Sequence, residues 1–154
     1  MPQETERKFL VKNNSWKDEV SKSISIKQGY LNSNAERTVR VRISNNKAYL
    51  TIKSKSEGIS RQEFEYEIPS SEAKELILLC EKPLIEKTRH EVKQGIHTWE
   101  IDVFEGENNG LILAEIELYD EDEKFKIPSW IGLEVSDDIR YYNSQLIKSP
   151  FTAW

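Results

Sequence analysis

Apolar and polar residues alternate along many short segments of the chain, and turn-forming residues separate these segments. Strict alternation places one class of side chain on each face of a β-strand. Asn45-Asn46 lies between two such segments and is typical of a hairpin turn. The pattern predicts eight strands, at residues 3–11, 25–31, 38–44, 48–55, 62–68, 84–92, 97–104 and 111–119.

Three segments instead follow helical spacing. We expect a short helix at 16–22 with Ser15 as its N-cap, and a second at 70–80 with one apolar face. A third is predicted at 138–148, capped by Asp137 or Asp138, after an irregular stretch at 120–136. No linker or repeat divides the chain, so residues 1–154 are predicted to form a single domain.

Composition narrows the possible settings of the protein. The net charge of -5 argues against bulk binding to nucleic acid. Apolar runs are too short for a membrane span, and the opening residues, MPQETERKFL, do not match a secretory signal. The single cysteine, Cys80, excludes an intrachain disulfide, and we therefore expect a cytoplasmic protein. The protein is expected to be a monomer or a homodimer.

The charged strand faces are sorted by sign. Acidic faces carry Glu63, Glu65 and Glu67, then Glu100 and Asp102, then Glu115 and Glu117, while basic faces carry Arg40 and Arg42, then Lys53 and Lys55, then Lys87 and Arg89. The first strand is mixed, with Glu4, Glu6 and Lys8 on one face. Any one of these faces could simply be solvated. Repeated like-charged neighbours repel, however, and contribute nothing to a surface selected only for stability.

A closed barrel accounts for this sorting. We predict a mainly β fold, a closed eight-stranded antiparallel β-barrel with helices packed outside and a charged lumen. Carboxylates are the ligands that Mg²⁺ or Mn²⁺ prefers, and lysine and arginine neutralise phosphate oxygens. Together they indicate a polyphosphate bridged to a divalent metal.

The same residues resemble a known family. Glu4-Thr5-Glu6-Arg7-Lys8 matches the Glu-x-Glu-x-Lys signature of the CYTH superfamily, the triphosphate tunnel metalloenzymes. Further segments are similar to its small bacterial members, in the same order along nearly the whole chain: QGYL, VRVR, TIKSKSEGISRQEFEYEI, EKTRH, WEIDVFEG, AEIEL and DDIRYYN.

The resemblance implies a tunnel that binds a triphosphate with Mg²⁺ or Mn²⁺. Metal ligands would be Glu4, Glu6, Glu115 and Glu117, with Asp102, Glu63, Glu65 and Glu100 holding a second metal or supporting the basic side chains. Phosphate contacts would come from Lys8, Arg40, Arg42, Lys53, Lys87 and Arg89. Arg140 would close the tunnel mouth, although Tyr142 stands where similar sequences commonly have lysine.

The chemistry expected from the resemblance is hydrolysis of inorganic tripolyphosphate. The base that activates water is left open among Glu63, Glu65 and Glu117, the lysines Lys8, Lys53 and Lys87, or the metal alone. Adenylate cyclase and thiamine triphosphatase are alternatives, the latter if Trp130 or Trp154 reaches the tunnel mouth. A polyphosphate-binding module without turnover is an alternative of another class.

Overall fold

The structure is a computed structural model that describes residues 3–154; Met1 and Pro2, which the single-domain prediction includes, lie outside the described residues. Its strands are β1 (Gln3–Val11), β2 (Lys22–Asn32), β3 (Arg37–Ser44), β4 (Lys47–Ser54), β5 (Ser60–Ile68), β6 (Ile85–Gln94), β7 (His97–Phe104), β8 (Ile112–Glu117) and β9 (Ile131–Glu134). Two α-helices, α1 (Ser70–Leu79) and α2 (Asn143–Leu146), accompany four 3-10 turns at Ser15–Glu19, Gly106–Asn108, Ile139–Tyr141 and Phe151–Ala153.

The described strands join into one antiparallel sheet that closes on itself. Its order is β5-β4-β3-β2-β6-β7-β8-β1, and β5 pairs back onto β1. The start of β1 contacts β5, where Gln3 faces Gln62, whereas the end of β1 contacts β9, where Val11 faces Ile131. The predicted eight-stranded antiparallel barrel is thus confirmed, with β9 as an added strand.

Outward-facing apolar side chains form two covered cores. One gathers around Phe9, Trp99 and Trp130 on the outside of β1, β7 and β8. The other lies under α1, where Ala73 and Ile77 of the helix and Cys80 directly after it pack with residues of β3 and β4. α1 therefore covers the outside of the barrel with the face that its spacing predicts.

The other predicted helices differ from the structure. The segment predicted as a helix at 16–22 is only a 3-10 turn at Ser15–Glu19, and β2 already begins at Lys22. Ser15 is not its N-cap, since that position belongs to Asn14. The stretch predicted as irregular at 120–136 contains β9, and the helix predicted at 138–148 is broken into a 3-10 turn and the short α2.

The C-terminal segment fills one end of the barrel rather than lying outside it. Ile85, Phe104 and Leu113 continue the inward faces of β6, β7 and β8 at two-residue spacing. They form a buried cluster with side chains that follow β9, namely Val135, Tyr141, Leu146 and Ile147. The lumen is therefore charged over part of its length and closed by an apolar plug. None of the helices in residues 3–154 has the length and apolar character needed to cross a membrane.

Candidate active site

The barrel encloses a polar cavity of about 280 Å³. Its charged lining is contributed by seven of the eight barrel strands: Glu4, Glu6, Lys8, Arg40, Arg42, Lys53, Arg61, Glu63, Glu65, Lys87, Arg89, Glu100, Glu115 and Glu117. Tyr142, Asn143 and Ser144 of the C-terminal segment also line it. The alternating charged faces of the sequence thus meet in one enclosed space.

Sheet order sorts these charges into two opposing halves of the wall. Acidic side chains lie mainly on β7, β8, β1 and β5, which are consecutive around the barrel, and basic side chains on β4, β3 and β6, which belong to the other half with β2. Lys8 on β1 and Arg61 on β5 are cations within the acidic half. A ligand in the cavity would contact anions on one side and cations on the other.

Lys53 lies across the boundary between the two halves. Its Nζ donates to both carboxylate oxygens of Glu4, each at 3.1 Å, and lies 3.4 Å from Glu63. Arg61 Nε also donates to Glu4, at 3.2 Å. Although burial opposes ionisation, these two cations hold the pKa of Glu4 well below its usual range. Glu4 is therefore a buried carboxylate that keeps its charge.

Glu6 and Glu115 form the most repulsive part of the acidic half. Burial, reinforced by the nearby charges of Glu115 and Glu4, raises the pKa of Glu6 well above its usual range. Burial also opposes ionisation of Glu115, but Lys8 and two other cations hold its pKa well below normal. Ionisation of Glu6 beside Glu115 is therefore disfavoured unless a cation balances the charge.

These carboxylates suit a divalent cation in their chemistry. Glu6 lies directly across from Glu117 on β8, and Glu115 is across from Glu100 on β7, so oxygen donors from three strands face one another. A cation among them would relieve the repulsion that raises the pKa of Glu6. Among residues 3–154, no three acidic side chains converge tightly enough to form a completed metal site.

Asp102 of β7 binds the two cations of the neighbouring basic strand, β6. Lys87 Nζ donates to its Oδ2 at 2.8 Å, and Arg89 donates through Nε to Oδ1 at 2.8 Å and through a terminal nitrogen to Oδ2 at 2.9 Å. The side chains of Lys87 and Asp102 are both 0% exposed. Burial, together with the charges of Arg89 and Arg42, lowers the pKa of Lys87 to about 7 despite the attraction of Asp102.

Arg40 and Arg42 are less tightly paired with carboxylates than Lys87 and Arg89 are. Arg40 makes a 3.2 Å hydrogen bond to Thr51 and a 3.5 Å contact with Glu65, and its buried Nε has no partner in residues 3–154. No carboxylate of the described chain lies within 4.0 Å of the Arg42 guanidinium. Burial and the charges of Arg40 and Arg89 lower the pKa of Arg42 to about 9, which an anionic ligand would reverse.

The C-terminal segment contacts the lysines at the plugged end. Lys8 Nζ donates to the carbonyl of Tyr141 at 3.1 Å and lies 5.5 Å from the centre of the Tyr142 ring. The hydroxyl of Tyr142 donates to the carbonyl of Ser136 at 3.4 Å. Tyr142, which departs from the lysine common in similar sequences, therefore covers Lys8 instead of adding a cation.

The structure brings together all the residues predicted for the site except two. Asp102 does not line the cavity; its side chain is fully buried, and its oxygens accept hydrogen bonds from Lys87 and Arg89. Arg140 lies outside it as well, with a side chain 61% exposed that pairs with Asp138 and stacks on Trp154. Trp130 is buried in the outer core, and Trp154 packs on Tyr141, so neither tryptophan lines the cavity.

Sequence reasoning missed several functional candidates. Arg61 precedes Glu63 and Glu65 on the same strand face, so the alternation already placed it in the lumen. Gln28 and Asn143 contact the lysine and arginine side chains of the cavity. Being neutral and lying in unrelated segments, they carry no signal in a charge pattern.

Comparison with known proteins decides the family. The sequence profile of the CYTH domain matches residues 2–145. The chain belongs to the CYTH family. An inorganic triphosphatase of Acetivibrio thermocellus is 51% identical over 152 residues, covering 98% of this chain and 97% of that protein. An inorganic triphosphatase of Nitrosomonas europaea is 36% identical over 150 residues, covering 95% of this chain and 97% of that protein.

A solved structure supports the same placement within the CYTH family. The crystal structure of an inorganic triphosphatase aligns with a TM-score of 0.69 and 34% identity, covering 96% of this chain and 95% of that one. The relatives therefore match this CYTH chain over almost all of both lengths.

Proposed function

We propose that this protein is a metal-dependent inorganic triphosphatase, which hydrolyses the terminal phosphoryl group of tripolyphosphate inside the tunnel. The observation that carries the proposal is the small cavity in which an acidic half-wall faces a basic one. Cations bind phosphate oxygens, and carboxylates bind the divalent metal that such a polyanion carries. The triphosphatases of Acetivibrio thermocellus and Nitrosomonas europaea, similar over nearly the whole chain, support it.

Phosphate binding is assigned to the basic half-wall. Arg42, which pairs with no carboxylate of the described residues, would contact phosphate oxygens first, with Arg40, Arg89, Lys87, Lys53 and Lys8 around it. The predicted role of Arg140, closing the tunnel mouth onto phosphate, requires its side chain to separate from Asp138, with which it forms an ion pair at 2.8 Å.

The metal, Mg²⁺ or Mn²⁺, is assigned to Glu4, Glu6, Glu115 and Glu117. When bound, it would neutralise phosphate charge and stabilise the charge that develops in the displacement. Asp102 is better placed to hold Lys87 and Arg89 than to bind metal, because its side chain is fully buried and does not line the cavity.

For proton transfer we favour Glu63 among the predicted groups. It lines the cavity, and burial together with the charge of Glu4 raises its pKa above normal, which brings it closer to the value suited to a general base. Lys53, 3.4 Å from Glu63, would orient the carboxylate. Glu65, Glu117 and the lysines Lys8, Lys53 and Lys87 are the alternatives that mutagenesis must separate.

The cavity argues against larger substrates. Its volume of about 280 Å³ is at the lower end for small-molecule sites. The thiamine triphosphatase alternative required a tryptophan at the mouth, and neither Trp130 nor Trp154 lines the cavity. An adenylate cyclase would need additional room for a purine. The full acidic half-wall argues against a binding module, which would gain more from further cations.

The test is phosphate release from tripolyphosphate, ATP and thiamine triphosphate, each with Mg²⁺, Mn²⁺ or excess EDTA. We expect fast release from tripolyphosphate with metal, none with EDTA, and loss of activity in Glu6→Gln. Glu72→Gln, an exposed acid on α1, is the matched control and should keep full activity. Tight binding of tripolyphosphate without release would favour the binding module, and pyrophosphate with cyclic AMP from ATP would indicate a cyclase.

Three aspects of the setting stay predictions. The single cysteine favours a reducing cytoplasm, the acidic net charge of -5 disfavours nucleic acid as a partner, and the state is expected to be monomer or homodimer.

A further inference from the structure

Two neutral side chains lie among the cations at the plugged end of the tunnel. Gln28 of β2 is 0% exposed, and Asn143, at the start of α2, lines the cavity. They come from segments 115 residues apart in sequence, yet they are joined by a hydrogen bond. Neither carries a charge that would bind phosphate or metal strongly.

Their hydrogen bonds connect two phosphate-binding candidates. Gln28 Oε1 accepts from Arg42 Nε at 2.8 Å, and Gln28 Nε2 donates to Asn143 Oδ1 at 3.4 Å. The same Asn143 oxygen accepts from Lys87 Nζ at 3.2 Å. Arg42 and Lys87 are therefore linked through two amides, one of which belongs to the C-terminal plug.

Amide oxygens affect a cation differently from carboxylates. An amide accepts a hydrogen bond and fixes the direction of the donor, but it leaves the positive charge uncompensated. Asp102, by contrast, neutralises the cations that it holds. Arg42 has Gln28 as its hydrogen-bond acceptor and no carboxylate of the described chain within 4.0 Å. Its charge is thus both oriented and available.

We propose that Gln28 and Asn143 are positioning residues, which aim Arg42 and Lys87 at the substrate phosphates and make the docked C-terminal segment part of the anion site. This inference rests on the proposed function, because it assigns the orientation of the same cations. Loss of either amide would let the cations turn toward other acceptors. This change weakens anion binding more than it slows the chemical step.

A purely structural role is separable with a matched asparagine. Asn108 is also buried, at 1% exposure, and its Oδ1 accepts from the backbone of Phe151 at 2.8 Å. It anchors the C-terminal tail but does not line the tunnel cavity. Asn108→Ala therefore tests the effect of loosening the C-terminal tail while leaving the hydrogen bonds of Gln28 and Asn143 in place.

The experiment compares Gln28→Met, Asn143→Ala, their double variant and Asn108→Ala with wild type. We expect Gln28→Met and Asn143→Ala each to raise the KM for tripolyphosphate about tenfold with little change in kcat. An effect of this size corresponds to the loss of one hydrogen bond to a charged group. The double variant should lose less affinity than the sum of the two single losses, because each single variant frees a different cation but both remove the hydrogen bond between Gln28 and Asn143. Asn108→Ala should lower the unfolding temperature and leave KM unchanged.

Calorimetric binding of tripolyphosphate in EDTA separates this inference from the proposed reaction. If wild type binds tripolyphosphate in EDTA but does not hydrolyse it once Mg²⁺ or Mn²⁺ is supplied, the proposed function fails, and weaker binding in Gln28→Met and Asn143→Ala still supports positioning. Unchanged affinity in both variants overturns the inference even where hydrolysis is intact. Additive effects in the double variant, or an equal loss of affinity in Asn108→Ala, also overturn it. If one single variant does not fold, the other decides.

Discussion

Replacing Asp102 with asparagine tests how the basic half-wall is held together. The change preserves shape but removes the negative charge between Lys87 and Arg89, whose hydrogen bonds to Asp102 measure 2.8 to 2.9 Å. Both Lys87 and Asp102 have side chains 0% exposed, so water cannot replace the lost partner. Breaking a fully buried ion pair from one side costs about 3–5 kcal/mol, because a buried charge is left uncompensated.

That cost corresponds to a large thermal shift. For a chain of this size, 1 kcal/mol lowers the unfolding temperature by about 2–4 °C, so we expect Asp102→Asn to unfold about 10 °C lower. Thermal unfolding in EDTA, followed by circular dichroism, measures it without contribution from metal. Tripolyphosphate should stabilise the variant more than wild type, because the anion replaces the missing negative charge.

The matched control is Asp138→Asn. Asp138 also pairs with an arginine, Arg140, at 2.8 Å, but the arginine side chain is 61% exposed. Solvent screens such pairs, so the unfolding temperature of this variant should hardly change. If Asp102→Asn shifts the unfolding temperature no more than Asp138→Asn does, the reasoning is refuted. A destabilisation seen only with metal present would instead restore Asp102 as a metal ligand.

Two further predictions follow from the perturbed groups. Burial and the charges of Glu115 and Glu4 raise the pKa of Glu6, so its ionised form destabilises the fold at pH values above the normal carboxyl range. Glu6→Gln should therefore raise the unfolding temperature in EDTA at pH 8 while abolishing activity. A lower unfolding temperature would contradict this. Burial lowers the pKa of Lys87 to about 7, so its positive charge is lost as the pH rises. The affinity of wild type for tripolyphosphate, measured by calorimetry, should therefore fall between pH 7 and 9 more than that of Lys87→Met does. Parallel pH profiles for the two proteins would contradict this.

Much of the barrel and its lumen follows from alternation alone. The inward positions of β3, β5 and β8 were predicted from charges at two-residue spacing, and the structure places those side chains in the cavity except Glu67, which is exposed at the end of β5. The four-residue strand β9 and the 3-10 turns escaped prediction because they are too short to show a period. Their places are fixed by contacts with β1 and the plug, which are distant in sequence.

The plug was nevertheless indicated by the sequence. Each of β6, β7 and β8 carries an apolar residue, Ile85, Phe104 or Leu113, on its charged face two residues beyond the nearest charge. Three lumen faces that change from charged to apolar require an apolar partner at that end. The sequence carries no comparable signal for the role of Asp102, because alternation places Asp102 and Glu100 on the same strand face. Only packing in the folded protein buries Asp102 and leaves Glu100 in the cavity lining.

Which charged faces oppose one another depends on long-range pairing. Along the chain the signs are interleaved, with acidic β1 and β5 separated by basic β3 and β4, and basic β6 followed by acidic β7 and β8. Three non-local contacts, β2 with β6, β8 with β1 and β5 with β1, bring each sign together on one side of the barrel. Burial, together with like charges placed side by side, raises the pKa of Glu6 and lowers that of Arg42, so the unliganded protein is destabilised by its own lumen. A polyanion with its metal is the ligand that relieves both halves at once, and this is the physical argument for the proposed substrate class.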